Sequence, residues 1–153
     1  MRVRPAQPSD ARRWGELRHA LWPDQPLQEL AAEADAFLHG AEPRLQAVLV
    51  AERAAERAAE RTLLGFAELS LRPYAEDCRT SPVAFLEGWY VVPQARGRGV
   101  GRALVAAAEE WGRAQGCREF ASDTQYDNTA SAAAHQALGF EDAGALRCFR
   151  KAL

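Results

Sequence analysis

Val91-Val92-Pro93-Gln94-Ala95-Arg96-Gly97-Arg98-Gly99-Val100-Gly101 closes one sequence pattern and opens another. Before it, Val83 to Val92 is the most apolar strand candidate in the chain. After it, Val100 to Gln115 places Leu104, Ala108 and Trp111 on one helical face. Strand, tight glycine turn and helix follow in that order. The first amides of a helix have no carbonyl partner within it and stand at the positive end of its dipole, so such a turn is an anion site. Glycines let the backbone come close to the anion, while Arg96, Arg98 and Arg102 add charge around it. A pyrophosphate fits that description, although a tight turn with solvated arginines would use the same residues. No Gly-Lys-Ser/Thr follows, so this is not a Walker A loop. The turn also lies too late in a short chain, with no second nucleotide-binding half after it, for a Rossmann unit.

Working outward, Cys117 to Asp123 reads as another strand, which makes a strand, helix, strand crossover of the kind that is nearly always parallel and right-handed. A last helix is expected from about Thr129 to Leu138, stopped by Gly139, and a last strand from Ala145 to Lys151. Toward the N-terminus, MRVRPA alternates like a short strand. Ser9 or Asp10 is then expected to cap a helix bearing Trp14, Leu17 and Leu21. The loop from Trp22 to Pro26 leads into a second amphipathic helix with Leu27, Leu30, Ala34, Phe37 and Leu38, ending at Gly40. Leu45 to Ala51 and Thr62 to Leu71 read as a strand pair. The A-E-R-A repeat between Ala51 and Arg61 reads as an expanded connection, and Arg72 to Pro82 as a mobile surface loop. The expected fold is α/β, an α+β mixed sheet, in a single domain over residues 1–153.

The chain has 153 residues, enough for one core, and 19 basic against 21 acidic side chains give a formal charge of −2. No global positive field is available for nucleic acid or an anionic membrane, and a cationic or neutral substrate suits the balance better. MRVRPAQPSD lacks the apolar run of a signal peptide, and no stretch approaches the roughly 20 apolar residues that span a bilayer, so a cytoplasmic protein is expected. Cys78, Cys117 and Cys148 form no Cys-x-x-Cys pair and read as reduced and structural.

Arg96-x-x-Gly99-x-Gly101, preceded by Val91-x-Pro93 and followed by Asn128 and by Leu138-Gly139-Phe140, resembles the acetyl-CoA signature of the GNAT superfamily of N-acetyltransferases. The resemblance implies a mixed sheet whose fourth and fifth strands splay apart to admit pantetheine. It implies that backbone groups of Trp89, Tyr90 and Val91 meet the pantetheine arm, that Gly97, Arg98, Gly99, Val100, Gly101 and Arg102 cradle the pyrophosphate, and that Asn128 contacts the cofactor. Within the superfamily, Leu21-Trp22-Pro23, Ser81-Pro82-Val83 with Phe85-Leu86-Glu87-Gly88, Gly116-Cys117-Arg118-Glu119, Ala121-Ser122-Asp123-Thr124 and His135-Gln136-Ala137-Leu138-Gly139-Phe140 resemble aminoglycoside 6′-N-acetyltransferases. That similarity covers nearly the whole chain, leaves out the A-E-R-A repeat and weakens after Phe140. It implies acetyl-CoA as co-substrate, direct transfer in a ternary complex, a polycationic aminoglycoside as acceptor, no metal, and a homodimer.

Acetyl transfer to an amine needs a neutral nitrogen, so a group near the thioester must remove a proton from the ammonium. Glu87 is the first candidate, because strand alternation would put it on one face with Trp89 and Val91. Asp123, at the end of the expected neighbouring strand, is the second, and the two carboxylates would share deprotonation and orientation of a cation. A backbone amide near Val91 would polarise the thioester carbonyl. His135 stands where many superfamily members carry a tyrosine that protonates the leaving thiolate, a role histidine can also play, although packing is its commoner use. Trp22, Gln25 and Tyr74 are the expected substrate wall by resemblance, aromatic faces suiting sugar rings and ammonium groups. Gln25 stands where relatives often have histidine, and Gly144 where an acid is usual. Two other readings use the same motifs: acetylation of a polyamine, small metabolite or protein N-terminus, and an acyl-CoA sensor without catalysis.

Overall fold

A computed structural model describes residues 1–41, 44–53 and 62–152, and these group into two compact units, Met1–Ser122 and Asp123–Leu153. The first holds β1 (Arg2–Pro5), α1 (Ala11–Leu21), α2 (Leu27–Leu38), β2 (Ala47–Arg53), β3 (Thr62–Arg72), β4 (Val83–Val91), α3 (Val100–Ala114) and β5 (Phe120–Ser122). The second holds α4 (Thr129–Gln136). The strands form one mixed sheet in the order β1-β2-β3-β4-β5, antiparallel except for the parallel pair β4 and β5 joined through α3.

Apolar side chains of α1 and α2 cover one face of the sheet. Trp14, Leu17 and Ala34 pack with Val48, Val50, Leu63 and Phe66, and Trp14 meets Phe37 edge-on at 5.6 Å. The two helices cross so closely that a Cβ on Gly15 would lie 2.8 Å from the Ala31 backbone. Val100, Leu104, Val105 and Ala108 of α3 are buried on the other side, where Gly65 leaves room for Leu104 and Gly112 for Ala84. The expected helices are all present, with α3 and α4 ending one and two residues early.

A bulge shapes the site. β3 and β4 pair Glu68 with Gly88 but Leu69 with Leu86, leaving Glu87 as the extra residue. Alternation breaks there, so the expected common face for Glu87, Trp89 and Val91 is not formed. Glu87 shares the α1/α2 side with Gly88, where an added Cβ would meet Trp22, whereas Trp89 packs against Gly101 of α3.

Other expectations are also revised. Asp10 occupies the N-cap position of α1 without capping it; its carboxylate accepts the Gln7 amide at 2.7 Å and binds Arg4, which also binds Glu52. Burial pushes the Asp10 carboxyl up, but Arg4 and the Gln7 amide outweigh this and hold it below the usual carboxylate range. The fifth strand is shorter than expected, because Cys117 instead closes the end of α3 through its amide to Gly112 O at 3.0 Å. The loop after β3 is pinned rather than loose: Ala75 is buried, and Glu119 accepts the Arg79 and Thr80 amides and the Thr80 hydroxyl. Ala145 to Lys151 is exposed and forms no strand, since a strand needs a ladder and this segment has no paired neighbour among the described residues. Of the A-E-R-A repeat, residues 54–61 lie outside the described residues; their flanks Arg53 and Thr62 are paired across β2 and β3.

Candidate active site

The glycine turn takes the form its sequence requires. Gly97 and Gly99 have φ of +69° and +80°, and Gly99 is the left-handed residue from which α3 starts. The amides of Val100, Gly101 and Arg102 form the first turn of α3, where no intrahelical carbonyl reaches them. Arg98 and Arg102 are exposed beside them. Arg96 is used differently: its Nε donates to Val91 O at 3.0 Å and its guanidinium lies over Tyr90, so it ties the turn to the end of β4. Gly101 gives space to Trp89, whose Cζ2 would be 2.7 Å from an added Cβ.

The sheet also opens where the cofactor reading needs it to. Parallel pairing of β4 with β5 is confined to Ala84, Phe85 and Leu86 against Phe120, Ala121 and Ser122, and the Ser122 hydroxyl donates to Leu86 O at 3.2 Å. From Glu87 to Val91, β4 continues with β3 on one side and no paired strand on the other among the described residues. That edge carries the backbone of Trp89, Tyr90 and Val91.

On the α1/α2 side of the same strand lies an open cavity of about 570 Å³. Three of the expected site residues, Trp22, Gln25 and Glu87, line it together. Tyr74 does not line it and stands exposed on its loop. Arg18 holds the inner wall. Its guanidinium lies over the rings of Trp14 and Trp22, at 5.6 and 5.4 Å, and donates to Glu68 Oε1 at 2.8 Å, to Leu30 O at 3.0 Å and to Glu33 at 2.9 Å. Glu68 also accepts the Trp14 indole N–H at 3.0 Å. Its desolvation outweighs these partners, and the carboxyl is pushed up to about 7.

Glu87 is tied down as well. Arg72 donates to it in a two-point pair, Nε to Oε1 at 2.9 Å and Nη2 to Oε2 at 2.6 Å, and the Ser70 hydroxyl also donates to Oε1. The Arg72 guanidinium stacks on Phe85, 3.4 Å from the ring centre. Three arginines (Arg18, Arg44, Arg72) and three glutamates (Glu33, Glu68, Glu87) line the cavity, and each glutamate has an arginine partner. In this unit Glu87, expected to meet a cation, is therefore already paired, as are the other two carboxylates of the cavity. The sequence reading missed Trp14, Arg18, Glu68, Ser70 and Arg72. The available signals were an arginine one turn after Trp14 on the buried face of α1 and an acid inside an otherwise apolar strand.

In the second unit, Asp123 is exposed and Asn128 caps α4, its Oδ1 accepting the Ser131 amide at 3.0 Å. His135 Nδ1 lies 2.8 Å from Ser131 O and must carry a hydrogen to donate there; a neutral ring then offers Nε2 only as an acceptor. The ring also packs edge-on against Phe140 at 5.1 Å. Gly144, which departs from the acid usual in the resembling family, has φ +95° and donates its amide to Asp142. Among the described residues, no group of His, Cys, Asp and Glu side chains could hold a metal ion, and no helix is long and apolar enough to cross a membrane.

Comparison with known proteins gives a consistent answer. The pattern of the acetyltransferase (GNAT) family matches residues 14–140. The chain is 54% identical over 151 residues to an aminoglycoside N(6′)-acetyltransferase type 1 of Klebsiella aerogenes, covering 99% of this chain and 96% of the relative. It is 46% identical over 154 residues to the enzyme of the same description from Stenotrophomonas maltophilia, covering 99% and 93%. Among solved structures it resembles AAC(6′)-Iy in complex with the bisubstrate analog CoA-S-monomethyl-acetylneamine, with a TM-score of 0.85, 38% identity and coverage of 99% and 98%. It also resembles the apo form of AAC(6′)-IG from Acinetobacter haemolyticus, with a TM-score of 0.86, 34% identity and coverage of 100% and 99%. With the family pattern spanning most of its length over a sheet and glycine turn of this form, the chain belongs to the acetyltransferase (GNAT) family.

Proposed function

We propose that the chain transfers the acetyl group of acetyl-CoA to the 6′ amine of an aminoglycoside, directly within a ternary complex, and so confers resistance to the drug. The observation that carries this reading is the 54% identity to an aminoglycoside N(6′)-acetyltransferase along nearly the whole of both chains. The turn from Gly97 to Arg102 would hold the pyrophosphate, the free edge of β4 at Trp89, Tyr90 and Val91 the pantetheine arm, and Asn128 a further cofactor contact. Trp22 and Gln25 would meet the aminoglycoside rings from the cavity wall, with Tyr74 from its loop.

The chemistry assigned to Glu87 is removal of one proton from the 6′ ammonium, directly or through water. The freed nitrogen pair attacks the thioester carbonyl, whose oxygen takes negative charge near the backbone amide at Val91. Collapse of the tetrahedral species breaks the C–S bond; the nitrogen gives up its second proton, the CoA thiolate takes up one through water, and the proton held by Glu87 passes to solvent. Asp123 would bind and orient a second ammonium group. His135, whose Nδ1–H is committed to Ser131, would act in packing rather than as the acid for the thiolate.

The reading treats both units as one catalytic domain in a cytoplasmic homodimer. The exposed apolar side chains of Leu146 and Phe149 support self-association, which sedimentation would test. A thiol-release assay with acetyl-CoA against aminoglycosides with and without the 6′ amine, spermidine and N-terminal peptides tests the substrate. Turnover only with 6′-amino compounds is expected, and a preference for spermidine or peptides overturns it. For the base, Glu87→Gln should reduce turnover by about 10²-fold or more while CoA affinity stays within about threefold. Wild-type turnover would remove the assignment.

A further inference from the structure

We propose that Arg72 is a specificity-determining residue: its guanidinium holds the place of a substrate ammonium on Glu87, and a cationic acceptor binds by exchanging with it. This rests on the reading of the cavity as the acceptor site. A polycation meets no surplus negative charge among the cavity-lining residues, because its three glutamates are matched by three arginines. An ammonium can therefore reach Glu87 only if the pair with Arg72 gives way, whatever Asp123 contributes.

The three arginines differ in how firmly they are held. Arg18 is buried, lies over the rings of Trp14 and Trp22 and is bonded to Glu68, Glu33 and Leu30 O, so displacing it would dismantle the wall. Arg44 is exposed and pairs with Glu33, at 3.6 Å, where Glu33 is half-exposed, so breaking that pair frees no carboxylate beside β4. Arg72 is the last residue of β3, and its side chain is 38% exposed against 26% for Glu87. Its side chain is held by the two bonds to Glu87 and the stack on Phe85, and a guanidinium at a strand end can swing into solvent. When it leaves, the Ser70 hydroxyl still holds Glu87 Oε1, so the carboxylate keeps its place and presents Oε2 to the incoming ammonium.

The exchange discriminates by charge. An ammonium replaces the ion pair it breaks, whereas a neutral ligand breaks the pair and leaves Glu87 unmatched.

The test is calorimetric titration of the CoA-bound protein with neamine, using wild type, Arg72→Met, Glu87→Gln and the double variant, with Arg72→Gln as a second substitution should Arg72→Met not fold. Arg72→Met is expected to tighten neamine binding about fivefold, with a steeper dependence on salt, and this gain is expected to vanish in the Glu87→Gln background. Weaker or unchanged binding in Arg72→Met overturns the exchange and makes Arg72 a support for Glu87. An equal gain in both backgrounds overturns it too, because that is only a change in net charge. Turnover of Glu87→Gln is measured separately, so loss of the base assignment and loss of the exchange give different results.

Discussion

Gly99 and Gly101 stand two residues apart in one turn and answer to different constraints. At Gly99 an added Cβ meets nothing within 4 Å, but φ is +80°, so the cost of a side chain there is conformational. At Gly101 the backbone is unexceptional and the Cβ would lie 2.7 Å from Trp89 Cζ2. Gly101→Ala is therefore expected to lower stability by about 1–3 kcal/mol in urea denaturation, since the ring must shift against β3 and β4. Gly99→Val is expected to cost about 1–3 kcal/mol through strain, and to weaken CoA binding about tenfold or more in a titration, because a turn that relaxes to negative φ redirects the amides that start α3. CoA affinity unchanged from wild type in a folded Gly99→Val protein would remove the turn from the cofactor site. The motif itself was legible in the sequence because it is local: strand, turn and helix start are contiguous, and each glycine and arginine can be counted. The partners were not. Nothing in the order of residues says that Arg96 bonds back to Val91 O, or that Gly101 faces an indole on another element.

At the scale of elements, β3 and β4 line the cavity proposed to take the acceptor, and their bulge turns Glu87 into it. The sequence reading assumed unbroken alternation and gave Glu87 the same face as Trp89; the register between two strands is set by both of them, so one strand read alone cannot reveal the extra residue. Glu68, on the partner strand at the bulge, is the buried acid of the pair. Its folded carboxyl, at about 7, lies above its ordinary 4.5, so between those values the folded protein binds a proton that the unfolded chain has released. The Glu68 contribution to stability is accordingly greatest below about 4.5 and declines as pH rises toward 7. Glu68→Gln removes that dependence. Measured by denaturation at several pH values, the stability of Glu68→Gln relative to wild type is expected to rise across this window. Subtraction leaves out Asp10, Glu16 and Glu119, whose lowered carboxyls give the opposite slope, losing stability as pH falls. A flat difference would show that Arg18 and Trp14 keep Glu68 ionised throughout.

For the whole molecule, the four helices, the β2 and β3 pair and the parallel crossover through α3 were readable, because each rests on a hydrophobic period that persists over one element. What failed was the strand expected at Ala145 to Lys151, whose formation depends on a partner edge rather than on its own pattern. Charge shows a similar limit: composition gives a near-neutral chain, but only packing shows that the glutamates of the cavity are each matched by an arginine. The A-E-R-A repeat tests how far the fold tolerates variation away from these partnerships. Its ends are fixed at Arg53 and Thr62, which face each other at the last rung between β2 and β3, so a short turn can join them without moving the sheet. Each halving of a connection's length changes the closure entropy by only about 0.6 kcal/mol, and going from eight residues to two is two halvings. Replacing residues 54–61 with a two-residue Asn-Gly turn is thus expected to leave the unfolding midpoint unchanged or slightly raised, and kcat/KM for a 6′-amino acceptor within about twofold. A folded variant without activity would place part of the acceptor site in the repeat.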